Sequence, residues 1–258
     1  MRGVDVGLAQ VLLALLLAAV AVALSLWQRV GLEREIGVAV LRAFVQLTAL
    51  GVAIQLIFDT GSPGWAVLLL GAMVVLGAVT ARNRAREVPG AFAILVLALG
   101  LSVAATVGLA LAIGILDATP RTIIPLGGMV IGNAMTAAAV TLDRLSAELR
   151  SSAREIEARL ALGATAHEAA SPYVRRSLRS GMINVVDSTK TAGLVFIPGT
   201  MLGMLLAGAD PGDAVRLQLV LFYLLLGSVA ISCVVAVTLA ARRFFTASHQ
   251  VRLPAPVR

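Results

Sequence analysis

Asp187, Lys190 and Thr191 stand inside an otherwise apolar stretch and hold the densest chemistry of the chain. On a helix they fall at i, i+3 and i+4, so they share one face and the two charges can neutralise each other. Such a pair either gates or lines a pathway, or clamps two helices together. Further along, Pro198 frees a carbonyl and is expected to bend the helix, and Gly199, Gly203 and Ala207 form a stripe where another helix can approach. Arg42 and Gln46 lie four apart on one helical face. A charge near mid-membrane is costly unless it faces protein or water, so both are expected to point inward; the alternative for Arg42 is to snorkel to the nearby interface. Asn133, with Gly128 and Gly132 beside it, is expected to bond a neighbouring helix, the alternative being a substrate contact.

The elements that must position these residues follow from composition. Of 258 residues, 59% are hydrophobic and 14% charged, and mean hydropathy is +0.94, which excludes an ordinary soluble domain. A helix needs about 20 apolar residues to cross about 30 Å of hydrocarbon, and about seven stretches qualify. They lie near Val6–Trp27, Gly37–Phe58, Trp65–Ala81, Ala91–Leu116, Ile123–Leu142, Ile183–Ala207 and Leu217–Ala241. The expected fold is all-α, a polytopic transmembrane helical bundle, with residues 1–258 forming a single domain.

Arginine placement sets the orientation. Arg82, Arg84 and Arg86, the run from Arg144 to Arg179, and Arg242 with Arg243 mark cytoplasmic connections. The turns at Asp59–Gly64, Asp117–Arg121 and Ala209–Asp213 then face outward, placing the N-terminus out and the C-terminus in. Leu24-Ser-Leu-Trp27 offers no small-residue cleavage site, so the first span is read as retained. The net charge of +7 collects at these helix ends and does not require a nucleic-acid partner. Cys233, the single cysteine, lies in the last span and is expected to be a buried, inert thiol.

The one long polar interruption, about residues 143–181, is the natural grip for a soluble partner; the bland alternative is a solvated linker. It reads as two short helices joined at Gly163. Ser152-Ala-Arg-Glu155 and Thr165-Ala-His-Glu168 both have capping-box spacing, and Pro172 is expected to bend or interrupt the second helix. The only lysine, Lys190, follows Val185-Val-Asp-Ser-Thr189 with no glycine to wrap a phosphate, so the chain is not its own ATPase. His167 and His249 fall in polar segments and read as solvated, which leaves no haem or serine–histidine site in the spans. No acid, base and nucleophile set points to an enzyme. No inverted repeat or row of carboxylates points to a self-contained secondary transporter or channel, which stays open as an alternative. Met129, Met135, Met201 and Met204 are read as packing residues.

The run Asp187-Ser-Thr-Lys-Thr-Ala-Gly-Leu-Val-Phe-Ile-Pro-Gly-Thr-Met-Leu-Gly203 resembles the FetB-like family of ABC transporter permeases, described as iron exporters and related to plant aluminium-tolerance membrane proteins. Ile124-Pro-Leu-Gly-Gly-Met-Val-Ile-Gly-Asn-Ala-Met135, Leu162-Gly-Ala-Thr165, Gly208-Ala-Asp-Pro211 with Gln218, and Arg42 with Val45-Gln-Leu47 resemble further motifs of that family. The resemblance implies a permease subunit in the inner (plasma) membrane, two copies pairing with two separate ATP-binding subunits that hold the ATP and magnesium. Glu157-Ala158 with Gly163 resembles the coupling loop of ABC importers, which implies ATPase contacts through Glu155, Glu157, Ala158, Gly163, Ala164, Thr165 and Glu168. Asp187, Lys190, Thr191, Pro198, Asn133, Arg42 and Gln46 are the candidate residues for a translocation path or gate. Metal export is the implied activity; another substrate or an importing direction is the alternative, and the metal ligands stay unassigned.

Overall fold

A computed structural model describes residues 7–60, 62–246 and 250. Apart from isolated bridge residues, among them the pair Ala192 and Phe196, the described residues are helix, turn and short irregular connections. The elements are α1 (Leu8–Trp27), α2 (Glu33–Thr60), α3 (Pro63–Arg82), α4 (Ala91–Ala112), α5 (Pro120–Ser151), α6 (Ala153–Ala161), α7 (Ala166–Thr191), α8 (Gly199–Leu206) and α9 (Pro211–Arg243).

Helix α5 is the axis of the body and packs against α3, α4, α7 and α9. Small residues let it do so, because without a hydrophobic drive between helices the packing gain comes from close backbone approach. Gly127 and Gly128 face Leu70 and Met73 of α3, and Ala134, Ala137, Ala138 and Ala139 are buried along the same helix. The closest approach is at Gly181 of α7, where an added Cβ would stand 1.9 Å from Thr141 Oγ1 and 2.7 Å from the Ala137 carbonyl of α5. Buried Ser102 of α4 donates to the Ser228 carbonyl of α9 at 2.8 Å, an interhelical bond that satisfies a hydroxyl in an apolar setting. Cys233 is buried and free, as expected.

Five helices among the described residues are long and apolar enough to cross a membrane: α2, α3, α4, α5 and α9. The expected seven spans are therefore revised at two places. The apolar part of α1 that qualifies is the shorter Leu13–Trp27, and Val6, the expected start of that span, lies outside the described residues. The expected sixth span, Ile183–Ala207, is not one helix. It breaks after Thr191 and restarts at Gly199, so Pro198 does not bend a continuous helix but sits as the cap before α8. Gly193, directly after the cap residue of α7, has φ +80°, the left-handed geometry that ends helices and that glycine adopts without a Cβ clash.

The polar interruption is also reorganised. Helix α5 continues to Ser151 rather than ending near Leu142, and α7 runs unbroken through Pro172 to Thr191. The interruption is thus the extended ends of two long helices plus the short α6, not a pair of short helices. At 32 residues α5 is about 48 Å long, which exceeds an apolar layer of about 30 Å by several turns.

Helices α1 and α2 pair with each other, and α2 otherwise touches the body through α5 near its far end, where the Arg121 guanidinium lies 5.2 Å from the Phe58 ring. The α2 stretch Glu33–Phe58 has none of its most apolar window buried.

Candidate functional site

At the arginine-rich end, α6 folds back between α5 and α7. Its inner face carries Ile156, fully buried, while Glu157, Ala158 and Ala161 face outward. Tyr173 of α7 is 1% exposed, and the Arg176 guanidinium lies 5.4 Å from its ring. Its hydroxyl makes no hydrogen bond of good geometry, yet it lies close enough to Glu155 to be the first cause holding that carboxylate below its ordinary range, with Arg159 second. Burial in turn raises the Tyr173 phenol above its usual value, and the neighbouring Glu155 adds to this. Glu148, near the end of α5, is buried and accepts from Arg144 at 2.8 Å and from Arg176 at 3.1 Å. Arg150 adds an ion pair of 3.2 Å to Glu87 in the α3–α4 connection. Buried aromatic packing and ion pairs thus fasten α5, α6 and α7 into one unit.

The turn between α6 and α7 is the exposed tip. Gly163 has φ +92°, the left-handed conformation expected of it, and Ala164 is half-buried beside it. Thr165 caps α7: its N–H donates to Glu168 Oε2 at 2.8 Å and its Oγ1 accepts from the Glu168 N–H at 3.3 Å. The Thr165 N–H and the Thr165 hydroxyl, which also donates to Glu168 Oε2 at 2.8 Å, favour the ionised Glu168 and lower its pKa. The other expected capping box fails. Ser152 has φ −108° and ψ 18° with no side-chain capping bond, because α6 follows α5 after a single residue and leaves no extended stretch in which a hydroxyl can turn back. Leu162, named in the sequence only as the start of the Leu162–Thr165 motif and not among the expected coupling residues, is 89% exposed at the tip. Its signal was an apolar residue beside a helix-ending glycine in a charged segment. Next to the tip, the start of α7 and the end of α9 enclose a groove of about 560 Å³ lined by Ala166, His167, Val174, Arg242 and Phe245. His167 is exposed as expected; His249 lies outside the described residues.

At its other end, α7 carries the expected polar face. Lys190 Nζ lies 3.5 Å from Asp187 Oδ1, and the Thr191 hydroxyl donates to the Asp187 carbonyl at 2.8 Å. The pair forms, but within one chain it is not buried: the side chains are 58% and 67% exposed. The break beyond it exposes Leu194 and Val195, 89% and 78%, while Pro198 is buried. The Gly199, Gly203 and Ala207 stripe has no helix against it, and an added Cβ at either glycine meets nothing within 4 Å. Arg42 and Gln46 are likewise exposed rather than inward, because α2 stands off the body. Asn133 is exposed and donates to the Met129 carbonyl of its own helix at 2.9 Å, so the expected bond to a neighbour is not made; Gly132 has open space around it. Apart from buried Pro198, the residues expected along one path therefore lie on open faces of α2, α5 and α7, and a single chain brings together only Asp187, Lys190 and Thr191.

One connection joins the two regions. The tip cap at Thr165 and the charged break at Thr191 are the two ends of the same continuous helix, 26 residues or about 39 Å long. Between these two ends, Gly181 seats α7 closely against Ala137 and Thr141 of α5.

Long apolar helices, short turns and charged connections at one end define a polytopic helical membrane protein. The chain belongs to UPF0014, described as an uncharacterised protein family, whose model matches residues 8–245. Among its relatives, the UPF0014 membrane protein STAR2 of Oryza sativa subsp. japonica is 39% identical, over 95% of this chain and 86% of that one. Protein ALUMINUM SENSITIVE 3 of Arabidopsis thaliana is 36% identical over 93% and 88%. The "Probable iron export permease protein FetB" of Escherichia coli (strain K12) is 32% identical over 92% of both chains. No solved structure matches the chain.

Proposed function

We propose that this chain is the single-domain membrane permease subunit of an ABC transporter, driven by ATP hydrolysis in a separate ATP-binding subunit. The observation that carries the reading is the α6–Gly163–α7 hairpin, pinned to α5 by Glu148, Arg176 and Tyr173 and yet presenting an 89% exposed leucine at its tip. A solvated linker needs neither a pinned base nor an exposed apolar tip. Such a tip fits a docking contact, because an apolar anchor gains most when a partner desolvates it. The arginine-rich end is then cytoplasmic, the N-terminus outside, and the membrane the cell's inner membrane. In this frame α7 and α8 together make one broken crossing, a construction that places polar groups at mid-depth where protein or water covers them.

The mechanism follows from the rod. Closure of the ATPase moves the tip; α7 carries the movement past Gly181; Asp187, Lys190 and the break shift relative to α5 and α9 and open or close the path. The description of the FetB relative as a probable iron export permease supports a metal cation, iron, as cargo moving outward. Among the described residues no group of three or more His, Cys, Asp and Glu stands together.

The test pairs the purified chain with its cognate ATP-binding subunit in nanodiscs. The wild-type chain alone is expected to hydrolyse no ATP and to form a stable complex with that subunit. Leu162→Asp is expected to weaken the complex without lowering the thermal stability of the isolated chain, and Gly163→Val to leave hydrolysis running without transport, since a β-branched residue resists positive φ. Unchanged complex formation and coupling in both variants would overturn the docking role of the hairpin.

A further inference from the structure

Charged side chains at membrane depth need a protein or aqueous neighbour, yet two helices here leave theirs open. Helix α2 exposes Arg42 and Gln46 over a shallow recess floored by Val38, Ala39 and Ala43. Helix α7 exposes Asp187 and Lys190. Counted along each helix from the last arginine at its polar end, which the membrane-spanning reading sets at a common level, the two sets match in depth. Arg42 lies eight residues, about 12 Å, beyond Arg34 at the charged start of α2. Asp187 lies eight residues, about 12 Å, beyond Arg179, the last arginine of α7 before the apolar part. One turn further in, Gln46 and Lys190 again fall at matching depth.

The two helices also run in the same direction, because α3, α4 and α5 intervene as alternating crossings joined by short turns. Opposite charge thus meets opposite charge, and a carboxamide oxygen meets an ammonium, when the helices lie side by side. The small residues Ala39 and Ala43 permit that approach. Within one chain, the helices in substantial contact with α2 are α1 and α5.

We propose that the occupant of the α2 recess is α7 of a second copy of this chain, with Arg42 facing Asp187 and Gln46 facing Lys190 across the interface. This rests on the membrane-spanning reading above. Each copy contributes both halves, so the contact repeats about a twofold axis. The polar route at membrane depth is then complete only in the dimer, with Lys190 released from sole possession of Asp187.

Two differently tagged copies are co-expressed, one with Ala43→Cys and the other with Ser188→Cys, neighbours that leave all four polar residues intact. The native Cys233 is buried and does not compete. Mild oxidation of native membranes is expected to give a disulfide between the two tags. A second arm reads charge: Arg42→Glu is expected to abolish that cross-link, and Arg42→Glu combined with Asp187→Arg to restore it. The proposal is overturned if folded, monodisperse protein gives no cross-link between tags, if the disulfide forms only when both cysteines are on one chain, or if charge reversal has no effect. Co-purification of an ATP-binding subunit with cross-link-negative protein would reject this interface and leave the transporter reading standing.

Discussion

Gly181 is the point where the proposed rod bears on its support, and replacing it tests both packing and mechanism. A Cβ there would lie 1.9 Å from Thr141 Oγ1, 3.2 Å from Thr141 Cβ and 2.7 Å from the Ala137 carbonyl oxygen. The hydroxyl already donates to that carbonyl at 2.9 Å, so rotating it away breaks a buried bond, and the carbonyl itself belongs to the helix and cannot yield. Gly181→Ala must therefore push α7 off α5. Overpacking of a closed contact costs about 1–3 kcal/mol, and Ala's better helix propensity returns up to about 1 kcal/mol. A net loss of about 1–2 kcal/mol corresponds, by the scaling for domains of this size, to a midpoint lower by roughly 2–8 °C. Size-exclusion chromatography of heated, detergent-solubilised protein measures it. Thr141→Ala in the Gly181→Ala background removes the hydroxyl clash but not the carbonyl clash, so partial recovery is expected. A neutral Gly181→Ala would refute the close contact and the bearing point argued from it. Full recovery in the double variant would show that the backbone carbonyl does not matter.

The cap of α7 and the Glu148 cluster yield further predictions. Thr165→Ala should cost about 1 kcal/mol at the start of α7, seen as faster hydrogen exchange confined to the tip. Glu168 titrates lower when folded than its ordinary 4.5, so its contribution is present above that value and lost as pH falls through the folded value. The protection of those amides, corrected for the pH dependence of intrinsic exchange, should therefore fall on acidification in the wild type and change less in Glu168→Gln. Glu148→Ala leaves Arg144 and Arg176 more than half exposed and able to rehydrate, whereas Arg144→Ala with Arg176→Ala strands a side chain that is only 10% exposed. The double arginine variant should thus lower the thermal midpoint more than Glu148→Ala does, and the reverse order would refute the assignment.

Much of this protein was legible in order along the chain. Five of the seven apolar runs, Gly163 as a helix stop and Thr165 with Glu168 as a helix start are local properties of bonded neighbours, and each appears where its local chemistry put it. The break of the sixth crossing was also locally encoded, by Gly193 followed five residues later by Pro198, but hydropathy averages over such signals and reads one long run. Tertiary structure decided the rest. Pro172 is absorbed into α7, and α5 outruns its apolar stretch, because packing of α5 and α7 along their length outweighs a missing bond and a polar surface. Whether Asp187, Arg42 and Asn133 face inward was never a property of their spacing. Periodicity says which residues share a face, and only the placement of whole helices says what that face meets.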